Sequence, residues 1–93
     1  MVGLLTAELA LPGAQSLKDK RQVLRSIKDK LTNDFNISLA EVGYLESWQR
    51  STLAVAVVAN EQTFADQVLA QVARKLDGNP NFFITNWHIE FLT

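Results

Sequence analysis

The spacing of apolar residues in this chain follows the order two, helical, two, two, helical, two, and few folds accommodate that order. Leu5, Ala7, Leu9 and Leu11 share one parity while Thr6, Glu8 and Ala10 share the other, the mark of a half-buried strand. Pro12-Gly13 stops it. Ser16 stands three residues before Asp19, a capping-box-like pair able to satisfy free amides at a helix start. A helix is predicted over about 17–33, with Leu17, Leu24, Ile27 and Leu31 on its buried face and Val23 at the margin.

Residues 35–43 carry Ile37, Leu39 and Val42, but the alternation shifts phase near Ala40 and Glu41, where a bulge is expected. An apolar strand over about 50–59 follows, and the short segment 44–49 makes an antiparallel hairpin the natural connection. Asn60 is placed to cap a second helix, whose apolar stripe is read as Phe64, Val68, Val72 and Leu76 and whose end is Gly78. In the last strand Phe83, Thr85, Trp87, Ile89 and Phe91 alternate with Ile84, Asn86, His88 and Glu90, and the aromatic set is expected to face inward.

The order βαββαβ predicts one α+β domain over 1–93, a ferredoxin-like sandwich with a four-stranded antiparallel sheet and two helices on one face. The opposite face stays uncovered. Parity assigns it Thr6, Glu8 and Ala10, then Ala54, Ala56 and Val58, then Asn86, His88 and Glu90.

Apolar residues make up 47% of the chain and charged residues 20%, so a folded core is expected throughout. Cysteine is absent and His88 is the single histidine, which leaves no disulfide, thiolate site or histidine cluster; no metal or cofactor is expected. The longest apolar run, 53–59, is far below the roughly twenty residues a membrane span requires. No basic stretch precedes the first apolar residues, so a cytoplasmic protein without membrane contact is expected.

Three stretches, PGAQSLKDKR (12–21), FNISLAEVG (35–43) and WQRSTLAVAVVAN (48–60), together resemble the YlxP-like family, small bacterial proteins grouped as a domain of unknown function. Specific motifs cover roughly 2–60, and beyond that the likeness rests on pattern and length. The resemblance implies a ferredoxin-like fold and genes that often neighbour translation and ribosome-maturation genes. Ribosomal RNA or a translation factor is the partner it points to. It implies no established activity, and no catalytic residue is carried over.

Charge is the most informative functional signal. Lys18, Lys20, Arg21, Arg25, Lys28 and Lys30 place six of the nine basic residues on the first helix, beside only Asp19 and Asp29. At 100° per residue, Lys18, Arg21, Arg25 and Lys28 form a ribbon along one flank, suited to following a phosphate backbone. A solvated helix face is the plain alternative, since Lys and Arg are good helix formers. The hairpin tip adds Tyr44, Trp48 and Arg50, able to stack on bases, unless Trp48 folds back over the end of the core. The third strand lacks the aromatic pair that RNA-recognition motifs carry on their open face.

Two other corners hold residues capable of chemistry. Gly13 precedes a helix start with Lys18 and Lys20 nearby, a candidate anion site, but the acylphosphatase pattern of a glycine-framed loop ending in arginine is not matched by LPGAQSLKDKR. Ser16 is better read as an N-cap than as a nucleophile. Glu8 and His88 are candidate cross-strand neighbours, without a third group to make them an acid–base pair. The leading expectation is therefore a non-enzymatic RNA- or ribosome-associated module using Lys18, Arg21, Arg25, Lys28, Trp48 and Arg50. The alternative is a homodimer formed through Ala54, Ala56 and Val58 on the open sheet face.

Overall fold

The computed structural model describes residues 1–92. They form β1 (Val2–Ala10), α1 (Leu17–Asp34), β2 (Ser38–Gly43), β3 (Arg50–Val58), α2 (Gln62–Asp77) and β4 (Phe83–Leu92). The sheet order is β2-β3-β1-β4 and every neighbouring pair is antiparallel, which is the ferredoxin-like α+β sandwich expected from the apolar spacing. Leu5, Ala7 and Leu9 of β1 and Leu53, Val55 and Val57 of β3 are buried against the helices. Burying each such Leu or Val contributes about 1.5–3 kcal/mol, and with no cross-link available this apolar layer is the main source of stability.

Helix α1 starts as its cap predicts. Ser16 Oγ accepts the Asp19 amide at 3.0 Å, and the Asp19 carboxylate accepts the Gln15 amide at 3.0 Å, one residue beyond the usual box partner. Its buried stripe is Lys20, Leu24, Ile27 and Leu31; Leu17 is only half-buried, so the stripe begins on a lysine rather than on the leucine expected. Helix α2 is capped at Glu61, without a side-chain bond, rather than at Asn60. It buries Ala65, Leu69, Val72 and Leu76, which leaves Phe64 exposed and Val68 at the margin. Ala65 lies nearer the centre of the buried face than Phe64 or Val68, so angular position rather than side-chain size decides which residue meets the sheet.

Two bulges set which residues face where. The irregularity of β2 falls between Glu41 and Gly43, slightly later than expected, and leaves Val42 unpaired and exposed. Gly43 then lies so close to β3 that a Cβ there would stand 2.7 Å from Thr52 Oγ1. In β4 the register with β1 shifts between Glu8 and Leu9, because Thr85 is the extra residue; its hydroxyl donates to the Glu8 carbonyl at 3.2 Å. Beyond that point parity reverses. Ile84 pairs with Leu9 on the helix side, while Phe83 pairs with Ala10 and is 52% exposed, so the expected inward position of Phe83 is corrected.

The open face carries the residues that parity assigned to it. Thr6 lies opposite Ala54 and His88, and Glu8 lies opposite Thr52 and Asn86. His88 and Glu8 are therefore cross-strand neighbours, as the pairing of the first and last strands implies, set on a diagonal rather than directly opposite.

Candidate functional site

Lys18, Arg21, Arg25 and Lys28 are all exposed along α1, and none forms a salt bridge with another described residue. Arg21, Arg25 and Lys28 border a groove of about 320 Å³ whose other wall is Leu39, Ala40 and Glu41 of β2. The ribbon thus runs beside the free edge of β2, the outer strand on this side of the sheet.

Lys20, two residues from Lys18, behaves differently. Its side chain is 0% exposed, and its ammonium lies 2.8 Å from Glu41 Oε2 and donates to the Tyr44 carbonyl at 2.8 Å. The carbonyls of Arg50 and Leu45 stand at 3.3 and 3.4 Å. Glu41 Oε2 in turn accepts the Ser51 hydroxyl at 2.9 Å. A buried ammonium is tolerated only when it is paired and hydrogen-bonded, and here an ion pair and surrounding carbonyls meet that condition. Lys20 consequently leaves the surface charge and becomes a tie between the first turns of α1 and the β2–β3 loop.

That loop is fastened on its other side as well. The Leu11 amide donates to the Gln49 carbonyl at 2.9 Å, and Gln49 Nε2 donates to the carbonyls of Ala14 and Pro12 at 3.1 and 3.3 Å. Tyr44 holds a left-handed backbone, φ 57°, at the start of the turn. The Arg50 guanidinium sits 4.2 Å from the centre of the Tyr44 ring, and Trp48 is 54% exposed. Of the two positions open to it, Trp48 therefore takes the outward one and does not fold back over the core. Two exposed aromatic rings are instead held at the end of α1 where the basic row begins.

The Gly13 corner offers space but little electrostatic welcome to an anion. A cavity of about 240 Å³ lies there, bordered by Pro12, Gly13, Asp19 and Phe83 among others. Two of its amides are engaged, Ala14 with the Leu11 carbonyl and Gln15 with the Asp19 carboxylate. An incoming phosphate would meet a carboxylate already in place, and Lys20, one of the two lysines expected to assist, points into the β2–β3 loop instead. On the open sheet face, Ala54 and Ala56 are half-buried beside a hollow of about 220 Å³ that Leu4 and Ala40 also line, and Val58 is 75% exposed.

Sequence reasoning overlooked the Lys20–Glu41–Ser51 cluster. Its signal was present: Lys20 continues the helical register of Leu24, Ile27 and Leu31, and Glu41 and Ser51 occupy the parity of Leu39 and Leu53. Polar residues in three core registers at one end of the sheet imply mutual satisfaction.

Comparison with known proteins agrees with this architecture. A de novo designed protein with ferredoxin fold, solved in solution by NMR, superposes with a TM-score of 0.61 at 11% identity, covering 99% of this chain and 87% of the other. That likeness concerns the fold alone. The uncharacterized protein YlxP of Bacillus subtilis (strain 168) is 35% identical over 80 residues, 86% of this chain and 87% of its own. The model of the family described as a protein of unknown function, DUF503, matches residues 2–89, and the chain belongs to that family.

Proposed function

We propose that this domain is a non-enzymatic RNA-binding module whose contact surface is the exposed row of α1 together with the β2–β3 loop. The observation that carries the reading is the set of four exposed cations, Lys18, Arg21, Arg25 and Lys28, which make no salt bridge with any other described residue. Their spacing follows one flank of a rigid helix, so they meet successive phosphates without a change of shape. Tyr44 and Trp48 supply stacking surfaces at the end of the row, and Arg50 already lies over Tyr44. The gene neighbourhood implied by the family resemblance makes ribosomal RNA, or a translation factor bound to it, the partner to try first. A role in the cytoplasm follows from that partner; among the described residues no helix is long and apolar enough to cross a membrane.

Titration of ribosomal RNA fragments, with ribosome co-sedimentation alongside, tests the reading. Neutralising four phosphates makes affinity fall about a hundredfold between roughly 50 and 200 mM salt. Salt-independent binding, or none at the lower salt, overturns it.

The open sheet face supports a second reading, self-association through Ala54, Ala56 and Val58. The hollow beside Leu4, Ala40, Ala54 and Ala56 favours it, because small side chains there leave room for another surface.

A further inference from the structure

We propose that the free edge of β4 is a docking site for a second copy of this chain, with two β4 strands pairing antiparallel about a two-fold axis at Ile89. β4 is the outermost strand next to β1 and runs for 10 residues, FITNWHIEFL. Exposed edges in natural proteins carry lysine, proline, short length or a bulge that spoils pairing. β4 has no Lys, Arg or Pro, and its bulge at Thr85 lies near one end. From Asn86 to Leu92 the strand is regular, in register with β1 from Glu8 to Val2. Trp87 is 51% exposed although its parity faces the helices, because nothing within the chain lies beyond the edge to cover it. Beside it Ala70, Ala73, Arg74 and Asp77 of α2 border a groove of about 340 Å³.

The sequence of β4 is self-complementary, which is why the occupant is a second copy. With the axis at Ile89, His88 faces the partner's Glu90 and Trp87 faces the partner's Phe91, each pair occurring twice. The imidazole–carboxylate pairs fall on the open face and the aromatic pairs on the helix face, so both faces match about one centre. Moving the axis to Glu90 sets two carboxylates against each other, and moving it to His88 sets two imidazoles together. The assembly would form one continuous sheet with all the helices on one side. It leaves α1 and its cations at the far ends, so it does not depend on the RNA reading.

Sedimentation of the full chain across about 1–100 µM gives the first outcome, a dimer, and a monomer throughout overturns the proposal. Charge exchange then tests the register. His88→Glu places two like-charged pairs across the axis and should weaken the dimer about tenfold, while His88→Glu/Glu90→Lys should return it to within about threefold of the parent. Both positions are exposed, so folding is preserved. Cysteine is absent from the natural chain, so mixing His88→Cys with Glu90→Cys should yield a cross-linked heterodimer faster than either variant links to itself. A dimer unaffected by His88→Glu, a double variant as weak as the single one, or a dimer broken by Ala56→Lys alone assigns association elsewhere and overturns the β4 edge.

Discussion

The two edges of the sheet are treated in opposite ways. β2 is six residues long, bulged at Val42, flanked by Arg21, Arg25 and Lys28, and joined at its end to α1 through the buried Lys20–Glu41 pair. β4 is longer, free of Lys, Arg and Pro, and bulged only near its start. A charged, irregular edge resists strand addition while presenting charge to solvent, whereas a long, regular edge without such guards invites pairing. A charged ligand is thus proposed at the first edge and a protein strand at the second.

The largest effect is expected at the tie that holds the β2 side together. Lys20→Met leaves Glu41 partly buried without its cation and should cost about 3–5 kcal/mol, read from urea unfolding. Adding Glu41→Leu should recover part of that loss, because the uncompensated charge is removed; a single variant as stable as the parent would show that the pair contributes little. Next in size is the basic row of α1, the proposed RNA contact. Arg21→Glu, Arg25→Glu and Lys28→Glu together should lower RNA affinity on the order of a hundredfold at low salt. The melting temperature should move only a few degrees, since all three side chains are solvated. Lost binding with an unfolded domain would undo this assignment.

Gly43→Ala comes third. A Cβ there meets Thr52 Oγ1 at 2.7 Å, and the overpacking should cost about 1–3 kcal/mol in thermal unfolding. Gly13→Ala, with nothing within 4 Å, is the control and should cost less. Smallest is the change between the two edges. Ala56→Lys on the open face should alter stability by about 0.5 kcal/mol or less if that face meets solvent. A larger loss, or a changed oligomeric state, would move the association surface from the β4 edge to the sheet face.

The fold was legible because periodicity is written at every strand and helix, and the order βαββαβ admits few right-handed arrangements. The basic row was legible for the same reason, since helical spacing alone decides that Lys18, Arg21, Arg25 and Lys28 share a flank. Phe83 and Phe64 were misplaced where a bulge or a choice between adjacent registers decides the facing; one extra residue in β4 reverses parity, and alternation cannot announce it. Trp48 stayed open between two positions because side-chain size predicts only average burial, while the tied loop directs this particular ring outward.

The element order, the apolar layer and the excess of positive charge on α1 can be read residue by residue, because each depends on spacing along one element. That Lys20 belongs to the core while Lys18 and Arg21 belong to the surface emerges when the elements are packed together. That choice depends on Glu41, Ser51 and three loop carbonyls arriving from more than twenty residues away in the case of the carboxylate and farther for the rest, partners that no local pattern contains. A charge is exposed or buried according to what the rest of the chain brings to it, because the cost of desolvation is met only by groups in the same place.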